Sequence, residues 1–155
     1  MGEPTNSWRD SRAPPNASAG PWSTEQLQLL DAAVELDIAV PRADGALGRW
    51  TTVWVVCVGQ GVFVRSWHRR DTGWFGRAAT TGRARIRVTG LETDVAVVDL
   101  GRAGDRTDAV QQLHRELFDE VDGAYRTKYG ALGDATVRAM VSAHARVTTL
   151  RLDRR

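Results

Sequence analysis

WTTVWVVCV, residues 50–58, is the most apolar stretch of the chain, and GQG at 59–61 and VFVRS at 62–66 follow it directly. The first segment is crowded with Val, Thr and Trp, the side chains a pleated strand accommodates best. It is apolar at both parities, which predicts a strand buried on both faces. Trp54 sits at its centre and is expected to be a core residue. Gly59-Gln60-Gly61 predicts a tight hairpin turn and VFVRS the return strand. In that strand Val62 and Val64 point one way, Phe63 and Arg65 the other.

Outward from this hairpin the elements alternate in a simple way. Upstream, ELDIAVP at 35–41 reads as a strand, with Asp44-Gly45 and Gly48 marking a turn after it. Before it, Ser23 and Gln26 have capping-box spacing and Trp22 and Leu27 can form a hydrophobic staple. A helix is therefore expected from Thr24 to about Val34, with Leu27, Leu30 and Val34 on one face. Residues 1–21, rich in Pro, Ser, Asn and Gly and without periodicity, read as a disordered tail.

Downstream, WHRRDTG is a polar loop in which Thr72 can cap a short helix, Gly73 to about Thr81, ended by Gly82. Arg83 to Val88 alternates, with Ala84, Ile86 and Val88 to one side and three arginines to the other. Gly90 turns the chain into a strand over Glu92–Leu100. Asp108 to Tyr129 predicts one long helix whose apolar stripe is Val110, Leu113, Leu117, Val121 and Ala124/Tyr125. Asp134 can cap a short helix through Val141, and Arg146–Leu152 reads as a last strand. Residues 22–155 thus predict a single α+β domain: a small, mostly antiparallel split β-barrel of five to six strands with flanking helices.

The 155 residues suffice for a real core, and 42% hydrophobic with 26% charged residues is ordinary for a globular chain. No apolar run approaches the roughly 20 residues of a membrane helix, and the first 20 residues lack a signal-peptide stretch, so a cytoplasmic location is expected. A net charge of +2 does not predict a nucleic-acid partner. The single cysteine, Cys57, excludes an internal disulfide and falls in the apolar run, where a buried, inert thiol is expected.

The chemistry-bearing residues form several small groups. His68, His114 and His144 are far apart in sequence, and CxxC and HExxH are absent, so no metal site is expected. No nucleophile elbow, P-loop or dinucleotide fingerprint is present. Glu116, Asp119, Glu120 and Asp122 read as a solvated helix face, and the Arg83, Arg85, Arg87 row as another. Arg65 and Ser66 end a strand, and His68, Arg69 and Arg70 precede a helix start, whose free N–H groups favour anions. With Arg77 they could form a phosphate or carboxylate pocket, or be an ordinary loop with surface arginines. Trp50, Trp54, Trp67 and Trp74 could stack on a flat ring or fill the core. Tyr125 and Lys128, the only lysine, share a helix face. Beside a cavity they could serve as proton donor and charge partner; equally, Lys128 complements the helix C-terminus.

ELDIAVPRADG, TVWVVCVGQGVFVRS, GWFGRAATTGRARIRVTG, DGAYRTKYG and MVSAHARVTTLRL, in that order over Trp22–Leu152, resemble the bacterial domain-of-unknown-function family 2255. More distantly, the hairpin ending in Arg-Ser, the Trp-bearing short helix and the alternating strand are similar to the flavin- and deazaflavin-binding split β-barrels. That resemblance implies a flavin-type cofactor, FMN or a deazaflavin, held by Arg49 and Thr52 on one strand, Arg65 and Ser66 on the next, and Trp74 and Arg77 on the short helix. It also implies a homodimer and an oxidoreductase acting on a small organic substrate. The chain departs from the pattern at Gly45–Gly48, where deazaflavin binders carry Lys-Ser-Gly, and at Thr81-Gly82, where Asn-Pro is usual. The other readings of the same residues are a cofactor-free barrel that binds, isomerises or cyclises an organic metabolite, with Tyr125 and Lys128 at its site, and a non-enzymatic binding module.

Overall fold

The structure is a computed structural model and describes residues 20–66, 73–101 and 107–155. The chain up to residue 19, the Trp67–Arg70 stretch and the Thr72 cap lie outside the described residues. Helix α1 (Thr24–Ala32) opens on the expected capping box: the Ser23 hydroxyl accepts from the Gln26 amide, and the Gln26 side chain accepts from the Ser23 amide. It ends two residues earlier than its apolar spacing suggests, and Val34 is exposed. The Trp22 indole is buried and donates to the Leu152 carbonyl at 3.0 Å, tying the entry of α1 to the last strand.

Seven strands form one antiparallel sheet: β1 (Leu36–Ala39), β2 (Thr51–Val53), β3 (Val55–Val58), β4 (Gly61–Val64), β5 (Arg83–Val88), β6 (Leu91–Asp99) and β7 (Leu150–Arg154). Their order is β2-β1-β5-β6-β7-β4-β3. The two outermost strands, β2 and β3, are consecutive in the chain and separated only by Trp54. One stretch, Thr51–Val58, therefore pairs with β1 through its first half and with β4 through its second. That exchange of partners makes the sheet a nearly closed barrel. It also explains why the strand count exceeds the five to six expected: the segment read as one strand is two. The β3–β4 hairpin turns on Gly59-Gln60, where Gly59 adopts φ +58°, the glycine-first pattern of a type II′ turn.

Alternation within this hairpin fills two cores. Val55, Val62 and Val64 join Leu36, Ile38, Ile86, Val95, Val97, Leu150 and Leu152 inside the barrel, with Leu30 of α1 and Phe75 and Ala78 of helix α2 (Gly73–Thr81). Val56 and Phe63 face outward into a second core. There helix α3 (Asp108–Tyr129) contributes Val121, Tyr125 and Tyr129, and helix α4 (Asp134–Met140) contributes Val137 and Met140. The double burial expected of the 50–58 segment holds only at Val55 and Val56, where α3 lies on the barrel's outside; Thr52 is exposed and the rest of the segment is half-buried.

Three expectations fail between α3 and the last strand. Only the C-terminal half of the α3 stripe is buried; Val110 and Leu113 are exposed. The segment read as a strand from Arg146 begins as a short helix, α5 (Ala143–Arg146), capped by Ser142, and the strand starts at Leu150. Asp134 is the first residue of α4 rather than its cap, which is Gly133. The arginine row on β5 is paired on the surface: Arg85 with Asp94 at 2.8 Å, and Arg87 with Asp37 at 3.1 Å while lying over the Trp50 ring.

Candidate functional site

The break between β2 and β3 leaves backbone groups of Val55 without a strand partner, because Val55 faces Val64 but bonds elsewhere. Its N–H donates to the Tyr129 hydroxyl at 3.1 Å, and its carbonyl accepts from Lys128 Nζ at 2.8 Å. Lys128 also donates to the Leu30 carbonyl, and the Tyr129 hydroxyl donates to the Val34 carbonyl at 2.6 Å. Two neighbouring side chains at the end of α3 thus complete both the barrel's break and the C-terminal end of α1, where carbonyls lack helical partners. Lys128 suits this role because an ammonium can direct donors at two carbonyls at once. Burial lowers its pKa, and Asp31 partly opposes that.

The indole of Trp54 stacks on Tyr129, ring centroids 4.0 Å apart and planes nearly parallel. Trp54 is only half-buried, against the expectation of a core residue, because the rest of the indole lines a pocket. This pocket has a volume of about 310 Å³ and is mainly apolar. Thr51, Thr52, Val53 and Trp54 form one side, Arg65 and Ser66 the end of β4, Trp74 the start of α2, and Thr136 and Met140 the adjoining face of α4. Glu35 stands where the chain enters β1. Four of the eight residues singled out from sequence, Thr52, Arg65, Ser66 and Trp74, therefore converge on one cavity.

The other four do not line it. Arg49 and Arg77 are exposed, and Lys128 is committed to the two carbonyls. Tyr125 is fully buried in the outer core, its hydroxyl without a hydrogen-bond partner. Burial pushes its pKa far up, a shift that the Arg65 charge and nearby Arg65 amide only partly offset. Tyr125 and Lys128 are thus framework residues of α3, and the proton-donor pair expected from their spacing is not assembled at the pocket. Tyr125→Phe should leave stability unchanged or raise it by up to about 1 kcal/mol, since it removes a buried hydroxyl that bonds to nothing. Thermal unfolding checks this, and a loss beyond 1 kcal/mol would reveal a partner such as a buried water.

Arg65 requires the largest correction. Expected at the edge of a polar loop and free to hold an anion, it is 1% exposed. Its Nη1 donates to Asp122 Oδ1 at 2.5 Å and to the Met140 carbonyl at 3.0 Å; Nε donates to Thr149 Oγ1 and Nη2 to the Phe118 carbonyl. Asp122, read from sequence as part of a solvated face, is itself buried, and Arg146 reaches its other oxygen at 3.5 Å. The guanidinium thus joins β4, α3, α4 and the approach to β7. The neighbouring Ser66 amide donates to Thr148 Oγ1, while the Thr52 hydroxyl donates to Asp37.

A flavin nucleotide needs both a ring site and a cationic site for its phosphate. Trp54 and Trp74 supply aromatic lining on which a ring could stack. Among the described residues no unpaired cationic side chain lines the pocket to meet that phosphate: Arg65 is neutralised by Asp122, and Arg49 and Arg77 are exposed and outside the lining. No group of described His, Cys, Asp and Glu side chains could hold a metal ion. No described helix is long and apolar enough to cross a membrane. Burial raises the Cys57 thiol pKa to about 11, so it is protonated at neutral pH.

A barrel closed by one partner-switching strand, with a pocket at the switch, defines the class of this domain. Residues 26–152 match the family described as uncharacterized protein conserved in bacteria (DUF2255), and the chain belongs to that family. No curated protein matches it. A solved structure, that of conserved hypothetical protein Rv2991 from Mycobacterium tuberculosis, aligns with a TM-score of 0.48 at 12% identity, over 88% of this chain and 81% of that one. A likeness at that level carries no inference about activity.

Proposed function

We propose that this protein binds a small, flat organic molecule lacking a phosphate group in the pocket at the β2–β3 break. The observation that carries this reading is Trp54. It is held by a parallel stack on Tyr129, and its remaining surface lines an apolar cavity at the lower end of the roughly 300–1,000 Å³ that ligand sites occupy. A ring anchored this way is pre-organised to stack on a planar ligand at little entropic cost. Flavin-dependent oxidation would require the phosphate to be held elsewhere than by Arg65, and the cofactor-free reading is favoured for that reason. The reading extends to binding; the acid–base pair once expected of Tyr125 and Lys128 lies outside the cavity.

Titration with riboflavin and FMN, followed by tryptophan fluorescence, separates the readings. They share a ring and differ in the phosphate. FMN should bind no more tightly than riboflavin, and Trp54→Leu should weaken riboflavin about tenfold, the scale of one aromatic stack. FMN binding tenfold or more tightly than riboflavin would restore a phosphate subsite and the flavin-nucleotide reading. Riboflavin affinity unaffected by Trp54→Leu would remove the ligand from this pocket.

A further inference from the structure

The described lining of the pocket carries a charge opposite to what its arginine suggests. Arg65 has no exposed side-chain surface, and each of its three nitrogens is hydrogen-bonded to protein. Its charge is matched by Asp122. Among the described residues lining the pocket, Glu35 is then the one side chain whose charge has no counter-ion. It is exposed, just ahead of β1, and lines the same pocket as Trp54, whose indole stacks on Tyr129. The indoles of Trp54 and Trp74 contribute in the same sense, because the face of an aromatic ring is its negative part and attracts cations.

From the isolated Glu35 carboxylate, the two indoles and the neutralised arginine, we infer that the pocket selects a small flat organic cation: an aromatic ring bearing an amidinium, an ammonium or a protonated ring nitrogen. The ring lies along Trp54 and the positive end is directed to Glu35. This rests on the reading of the pocket as a small-molecule site and adds the charge of its ligand.

Benzamidine, benzamide and benzoate test it, because they share a ring and nearly a shape while carrying charges of about +1, 0 and −1 at neutral pH. Binding to the full chain is measured by tryptophan fluorescence and ligand-observed NMR. Benzamidine should bind about three- to tenfold more tightly than benzamide, the range for a partly exposed ion pair with a cation–π contribution. Benzoate should bind more weakly than benzamide. Glu35→Gln, an exposed substitution that keeps the shape of the side chain, should remove most of the benzamidine advantage and leave benzamide unchanged. Trp54→Leu should weaken all three, and benzamidine the most, because it also removes a cation–π contact. Equal affinities, a benzoate preference, or a benzamidine advantage undiminished by Glu35→Gln would overturn the cation assignment while leaving the pocket a ligand site. Failure of all three to bind would overturn both.

Discussion

Asp122→Ala is expected to lower stability by about 3–5 kcal/mol, the cost of leaving a buried cation without its partner. The substitution strands the Arg65 guanidinium, which has no exposed side-chain surface and cannot reach water without moving β4. The carbonyls of Met140 and Phe118 remain as acceptors but carry no full charge. Arg65→Met alone should be comparably damaging, because it leaves the Asp122 carboxylate buried beside only the more distant Arg146. The double variant Arg65→Met/Asp122→Leu should recover most of the loss, since an apolar pair of similar volume avoids desolvating two charges. Urea unfolding of the three variants and the parent forms a double-mutant cycle. Single variants within about 1 kcal/mol of the parent would mean that Arg65 reaches solvent, and the anion pocket expected from sequence would return.

Tyr129→Phe should cost about 1–3 kcal/mol, the penalty for an unsatisfied buried backbone group. The lost hydroxyl accepts from Val55 N–H and donates to the Val34 carbonyl, and Lys128, which has no acceptor, cannot take over the Val55 N–H. The contrast with Tyr125→Phe, four residues earlier on the same helix, is the useful control. The two changes are chemically identical, yet one removes a bonded hydroxyl and the other an orphan. The Tyr129 phenol also makes stability depend on pH at the alkaline end. Burial above all raises its pKa to about 12 in the folded state, against about 10 in an unfolded chain. Both states keep the proton below pH 10, so its contribution is intact there. Above pH 10 the unfolded chain ionises first, and stability falls as pH rises towards 12. Unfolding midpoints measured from pH 8 to 11 should decline less steeply in Tyr129→Phe than in the parent; identical slopes would mean that the phenol titrates normally.

Much of the barrel was legible because its strands obey local rules. The alternation in 83–88, the two-residue turn at Gly59-Gln60 and the capping box at Ser23 are decided within a few residues of one another. The site was less legible because its residues owe their roles to partners far along the chain. Arg65 has the sequence surroundings of a loop-edge arginine, and its neutralisation by Asp122 spans 57 residues. A signal did exist: Asp122 follows Val121 and precedes Tyr125 by three, placing an acid on the margin of the buried stripe rather than opposite it. Trp54 was read as core because nothing local shows that the strand changes partners there. Val110 and Leu113 follow the helical period correctly, but periodicity reports which face is apolar and not whether anything packs on it. Glu35 carries no sequence signal beyond its position ahead of a strand.

The position of β7 bears on how the chain is made. It is the last strand in chain order, yet it lies between β6 and β4 and is paired along both sides. Until Leu150–Arg154 have left the ribosome, β4 and β6 each present an open edge, the kind of surface through which nascent chains associate. The Trp22 indole, whose acceptor is the carbonyl of Leu152, must wait for the same event. Folding during synthesis is therefore held back to the final residues of the sheet. A stall or premature stop between Asp99 and Leu150 would release not a smaller version of the barrel but a chain with two exposed edges, a natural target for chaperones and proteases.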